Sequence, residues 1–226
     1  MENIAQTVSV WVLPVLLAVT FHEAAHGWVA WRLGDNTAKQ QGRVTFNPLA
    51  HVDPFGTVVL PALLILTKAG FVFGWAKPVP VDIRNLRDPR RDMVLVAAAG
   101  PAANIVIAYI SALLLHITPF LPDVMAAWAQ ETLQISVFLN VLLAVFNMIP
   151  LPPLDGGKVA VGLLPYRLGY ELAKLERYGF LIILGVFFVL PMVGDRIGVD
   201  LRIVQWVIRA PLELILDVLA FAAGLK

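Results

Sequence analysis

Cysteine is absent from the 226 residues, which excludes disulfides, thiolate metal sites and thiol nucleophiles and leaves metal binding to imidazole and oxygen. Charge is scarce too. Charged residues make up 15% of the chain against 59% hydrophobic ones, and the mean hydropathy is +0.78, values that exclude a soluble domain of this length. No basic residue precedes the first apolar stretch, so that stretch is not expected to be a secretory leader. No repeat and no low-complexity tract is visible, and nothing points to a nucleic-acid partner. A bilayer core takes about 20 apolar residues per helix, so the chain is expected to be an all-α polytopic membrane protein, one integral membrane domain over 1–226 with no separate soluble part.

Six apolar stretches stand out, at about 4–31, 56–75, 93–121, 133–151, 178–193 and 201–225. Three of the intervening loops, 32–55, 76–92 and 152–177, are basic, whereas 122–132 holds neither Lys nor Arg. If every stretch spanned, the first two basic loops would fall on opposite sides and the basic-free one would be cytoplasmic, against the positive-inside bias. A re-entrant 56–75, interrupted by Pro61, Lys68, Gly70 and Gly74, removes the conflict. It places the N-terminus outside and the basic loops in the cytoplasm, and it implies a buried or wet lining for the broken segment. After it, Lys77-Pro78-Val79-Pro80-Val81 cannot be helical. It reads either as a short membrane-associated β-segment or as a rigid linker.

The first stretch contains His22-Glu23-Ala24-Ala25-His26, a match to H-E-x-x-H. On a helix the two histidines share a face and can grip one Zn²⁺, with Glu23 placed to act as a base. Three ionisable side chains in five residues of a bilayer helix are costly unless paired, metal-bound or wet; the bland alternative is a polar cluster that glues helices. A catalytic zinc takes three protein ligands, and the candidate for the third is Asp155. It follows Asn147-Met148-Ile149-Pro150-Leu151-Pro152-Pro153-Leu154 and precedes Gly156-Gly157, a helix-stopping run at the cytoplasmic end of the fourth stretch that could equally be a plain Asp-Gly turn.

Together these motifs resemble the site-2 protease family of intramembrane zinc metalloproteases, as a small member without a PDZ or CBS domain. The resemblance extends to Ala99-Gly100-Pro101-Ala102-Ala103-Asn104, similar to a signature in the family's middle core helix, to Gly74–Val81, similar to its re-entrant β-segment, and to Asn47-Pro48-Leu49-Ala50-His51-Val52-Asp53-Pro54. It covers about 7–160, leaving accessory helices at about 178–225. What it implies is one Zn²⁺ per chain on His22, His26 and Asp155, Glu23 as general base and later proton donor, and Asn147 holding the substrate or its developing oxyanion. The activity implied is a zinc-dependent endopeptidase cleaving transmembrane segments of other proteins, in a bacterial inner membrane with the active site toward the cytoplasm.

Lys77, Val79 and Val81 are candidate substrate contacts by strand addition; Pro78 and Pro80, two apart, point their nitrogens to the same edge and leave Val79 and Val81 on the opposite edge free to pair. Asn104 is a candidate substrate contact or interhelical glue. His51 and Asp53 suit a polar turn better than a metal site, and the lone His116 suits a hydrogen bond to a neighbouring helix. Arg202, Arg209, Glu213 and Asp217 form one stripe that fits an interfacial helix, a lateral gate or a contact between copies, so a homo-oligomer stays open. Two other functions are weighed: a metal or proton transporter, which needs further ionisable residues along a through-path, and a catalytically silent membrane binding module.

Overall fold

The computed structural model describes residues 4–67 and 74–226. In chain order the α-helices are α1 (Ile4–Arg32), α2 (Thr37–Gln40), α3 (Leu60–Leu66), α4 (Pro89–Leu114), α5 (Asp123–Asn147), α6 (Asp155–Leu163), α7 (Tyr166–Lys174), α8 (Gly179–Leu184), α9 (Leu190–Ile197) and α10 (Ile203–Ala222). Among the described residues, four helical runs are long and apolar enough to cross a membrane: Val8–Arg32, Pro89–Phe120, Asp123–Asn147 and Tyr166–Ile197. The chain is an all-α polytopic membrane protein.

The centre is built from α1, α4 and α5, each packed on the other two. Lipid tails are as apolar as Leu, so helices in a membrane associate through close backbone approach and interhelical hydrogen bonds rather than by hiding apolar surface. Both devices are present. Ala18, Ala30 and Ala108 are fully buried where the helices meet. Asn104 on α4 donates from Nδ2 to Asn140 Oδ1 on α5 at 2.8 Å, and the hydroxyls of Ser111 and Ser136 lie 2.8 Å apart one step further along. The outer surface of α1 carries large apolar side chains such as Trp11, Leu13 and Trp28, as a lipid-facing surface requires.

α10 adds to this bundle by one face. Ile208, Leu212, Ile215, Leu216 and Leu219 fall at helical spacing and pack on Ala108, Val141 and Val145, while Arg209 and Glu213 pair on the other side at 2.7 Å. His116 Nε2 bonds Ala223 O at 2.7 Å, the neighbour contact expected of it.

Three expectations need correction. The loop expected at 122–132 is helical: α5 begins at Asp123, and a 3₁₀ turn, Leu115–Phe120, extends α4 almost to it. Charges at the end of a long helix can reach the aqueous surface, so the polar start of α5 does not delimit the helix. The basic segment 152–177 is likewise largely helical, as α6 and α7. No β-strand is present among the described residues, and 74–82 is irregular backbone. Within 56–75 the described residues form the end of a π-helical turn, Pro54–Val59, that runs into α3, and irregular backbone at 74–75, while 68–73, with Lys68 and Gly70, lie outside the described residues. Its two ends meet, since Trp75 N–H donates to Gly56 O at 3.1 Å and Thr57 Oγ1 donates to Trp75 O at 2.8 Å.

Candidate metal centre

The i, i+4 spacing of His22 and His26 brings their imidazoles edge to face, Nε2 to Nε2 at 3.0 Å. Asp155 comes from the first residue of α6. It arrives there because the turn after α5 folds back on α6: an ideal Cβ at Gly156 would lie 2.3 Å from Met148 O, and one at Gly157 2.2 Å from Pro152 N, so only glycine fits at either position. Asp155 Oδ2 then stands 3.1 Å from His22 Nε2 and 3.2 Å from His26 Nε2. His22, His26 and Asp155 are buried, and among the described residues they are the one group of His, Asp and Glu whose ligand atoms converge as a metal would need.

Hydrogen bonds behind the ring nitrogens define what those atoms carry. Asn104, fully buried, gives its Nδ2 protons to Ala18 O at 3.1 Å and to Asn140 Oδ1, which turns its Oδ1 toward His22 Nδ1 at 2.6 Å. A carboxamide oxygen only accepts, so His22 Nδ1 carries the proton. His26 Nδ1 lies 2.7 Å from Val96 O and is a donor for the same reason. In a neutral imidazole the other nitrogen is then a bare lone pair. Two lone pairs and a carboxylate oxygen therefore converge, and Asp155 Oδ2 is buried without a hydrogen-bond partner.

Such a donor set calls for a cation. With Zn–N and Zn–O near 2.0–2.1 Å, tetrahedral ligands stand about 3.3 Å from one another, close to the separations of 3.0, 3.1 and 3.2 Å found here. The space is kept open by Gly100 on α4, where an ideal Cβ would lie 2.4 Å from His26 Nε2 and 2.6 Å from His22 Nε2. Lys158 Nζ stands 3.6 Å from Asp155 Oδ1, on the side of the carboxylate away from the histidines.

The other sequence candidates have other surroundings. Glu23 accepts a hydrogen bond at Oε2 from the backbone N–H of Val79 at 2.8 Å. That corrects the expected edge strand at Lys77–Val81: Val79 N–H, flanked by two prolines that have none, is satisfied within the chain instead of being free to pair. Lys77 is exposed, with its N–H on His51 O at 2.9 Å, and Val81 packs beside Ala30, Leu86 and Val96. Asn104 stands behind His22 as an orienting partner, a position from which a metal ligand's tautomer is set. Asn147 ends α5 with its Nδ2 donating to Leu143 O at 3.0 Å. His51 Nε2 bonds Thr45 O at 3.0 Å and Asp53 caps the π-helical turn through Phe55 and Gly56 N–H, so both serve the loop.

Two residues went unremarked in the sequence. Asp35 is fully buried and accepts from Thr37, Asp82 and Asn85; burial pushes its carboxyl up, but these hydrogen bonds outweigh it and hold the group below the usual carboxylate range. Arg43 is buried against the 77–78 backbone. Neither sits in a recognisable motif, and apart from Thr37 the partners named here lie 34 to 50 residues away along the chain.

Comparison with known proteins gives a consistent set of relatives. The family model of peptidase family M50 matches residues 114–191, which include Asn147 and Asp155. A Bacillus subtilis protein named "Putative zinc metalloprotease YwhC" is 42% identical over 185 residues, 80% of each chain. Two mycobacterial proteins carrying the same description under the name Rip2 are similar as well. The one from Mycolicibacterium smegmatis is 35% identical over 74% of this chain and 62% of its own, and the one from Mycobacterium tuberculosis H37Rv is 29% identical over 81% and 68%. No solved structure matches the chain.

Proposed function

The chain belongs to peptidase family M50 and is a zinc metalloprotease of the membrane, and from that premise we propose that it is an intramembrane endopeptidase whose zinc is held by His22, His26 and Asp155. The observation that carries the reading is the convergence of His22 Nε2, His26 Nε2 and Asp155 Oδ2 within 3.2 Å of one another, with the far ring nitrogens held by Asn104 Oδ1 and Val96 O. Bound there, Zn²⁺ supplies a Lewis acid that polarises a carbonyl and makes water acidic enough to ionise near neutral pH.

The residues of the chain do the rest. Asn104 and Val96 O fix both imidazoles with Nε2 inward. Glu23, adjacent to His22 on the helix, takes the proton of the attacking water and returns it to the leaving amine, with Oε2 tied to Val79 N–H and Oε1 free to carry the proton. Asn147 holds the substrate or its developing oxyanion. The substrates are transmembrane segments of other proteins, which must unwind before a peptide bond is accessible, and the outcome is regulated intramembrane proteolysis. The peptidase core comprises about 7–160 of a single domain, with 178–225 accessory. Bacterial relatives support a bacterial inner membrane, and the basic loops support a cytoplasmic-side active site.

Purified protein should hold one zinc per chain and cleave a model transmembrane substrate, and Asp155→Ala should lose both. A metal-loaded protein that cleaves nothing but moves ions across vesicles would favour the transporter reading instead.

We also read 56–75 as re-entrant, a reading supported by the hydrogen bonds that join Gly56 and Thr57 to Trp75. Lys39→Cys and Arg87→Cys, introduced singly into this Cys-free chain, should then be labelled by a membrane-impermeant reagent from the same side. Labelling from opposite sides would show that the segment crosses.

A further inference from the structure

Residues 77–82 are pinned to the bundle by groups that take no part in metal binding. At one end Lys77 N–H bonds His51 O at 2.9 Å; at the other, Asp82 N–H bonds Asp35 Oδ2 at 2.8 Å. Between them stands Arg43. Its Nη2 donates to Lys77 O at 2.6 Å and lies 3.5 Å from Pro78 O. The residue is 6% exposed, and its Nε is buried with no hydrogen-bond partner among the described residues. A guanidinium matches planar carboxylates and phosphates, but here its acceptors are backbone carbonyls. What it does here is fix the two peptide units that lead into Val79.

Val79 is the residue that meets Glu23. Pro78 and Pro80 have no N–H, so Val79 supplies the single donor of 78–80, and it gives that donor to Glu23 Oε2 at 2.8 Å. The side chain is seated as well: an ideal Cβ on Gly27, one turn beyond Glu23, would be 3.1 Å from Val79 Cγ1 and 3.2 Å from Val44 Cγ2. Val44 follows Arg43 directly, so one loop supports both the backbone and the side chain of Val79.

We propose that Arg43 is a positioning residue for Glu23, holding the Lys77 and Pro78 carbonyls so that Val79 N–H keeps one carboxylate oxygen in place and leaves the other free to accept a proton. This rests on the reading of Glu23 as the base. A base whose carboxylate can rotate or shift by about 1 Å loses on the order of 10²-fold in rate, and the loss falls on turnover rather than on metal or substrate binding.

The test uses the full chain in detergent. Arg43→Met should retain wild-type zinc and KM while kcat falls about 10- to 100-fold on a transmembrane substrate and on a short unstructured peptide alike. Arg43→Lys, which keeps the charge but reaches the carbonyls with one compact ammonium, should fall in between. A second readout needs no zinc and no turnover. Amide exchange of 77–81 in metal-free protein reports on Lys77, Val79 and Val81, since the prolines contribute nothing; Val79 should be protected in wild type and lose that protection in both Arg43→Met and Glu23→Ala. In a Val79→Pro background, which removes the donor itself, Arg43→Met should cost less than about 2-fold, because two changes on one path do not add. Unchanged Val79 protection in Arg43→Met, or losses that multiply in the double variant, would overturn the proposal. If Arg43→Met loses zinc, the exchange and kcat of Arg43→Lys decide in its place. A wild-type protein that binds zinc but cleaves nothing would overturn the function instead, and the exchange result would still judge the Arg43 contact.

Discussion

Glu23→Gln should reduce kcat/KM by roughly 10²- to 10⁴-fold, the usual worth of a positioned general base, with zinc content unchanged. A loss of 10³-fold corresponds to about 4 kcal/mol of transition-state stabilisation. The substitution is well suited to the question because it changes little else. Gln keeps the length of Glu and an oxygen that can accept from Val79 N–H, so residues 77–82 should keep their place. His22, His26 and Asp155 are untouched, and their mutual distances do not involve Glu23. What disappears is the capacity to take up and release a proton. Metal analysis and cleavage of a transmembrane substrate on the same preparation separate the outcomes. Retained turnover would remove Glu23 from the role of base, and loss of zinc would mean that the carboxylate contributes to binding the metal.

The parts of this site legible in the sequence are those whose geometry is local. An i, i+4 pair on a helix faces one way whatever surrounds it, so His22 and His26 could be paired from their spacing. Asp155 could be proposed because breakers before it and glycines after it bend the chain at a known end of a helix, although how deep the bend reaches depends on Gly156 and Gly157 meeting the 148–152 backbone. The rest is non-local. Arg43 meets its carbonyl 34 residues away, Asp35 meets Asp82 N–H 47 away, and Glu23 meets Val79 N–H 56 away. No periodicity encodes such contacts. The strand expected at Lys77–Val81 failed for a related reason: two prolines did restrict the backbone as expected, but they also left Val79 N–H as an isolated donor, and a buried donor goes to the nearest strong acceptor. Here that acceptor is a carboxylate of the site itself. Asn104 was noticed through its motif, yet its orienting contact to His22 depends on Asn140 from a third helix.

Gly100→Ala should abolish zinc binding although residue 100 is no ligand. Two effects oppose each other at this position. Ala is favoured over Gly in a helix interior by about 1 kcal/mol, and Gly100 lies within α4, so on helix propensity alone the variant should be more stable. Against that stands the space the new methyl would occupy. Its carbon would lie 2.4 Å from His26 Nε2 and 2.6 Å from His22 Nε2, crowding the two nitrogens that would hold a zinc ion at 2.0–2.1 Å. The histidines cannot simply swing aside. Asn104 and Val96 O hold their far nitrogens at 2.6 and 2.7 Å, and α1 and α4 pack closely through small residues on either side. The expected result is a folded, helical protein with zinc content near zero and no detectable cleavage, while substitution of Ala99 by Gly, which adds no atom, should leave the metal in place. Wild-type zinc affinity in Gly100→Ala would mean that the metal does not lie between His22, His26 and Asp155 on the side facing α4, and the ligand set would have to be sought again.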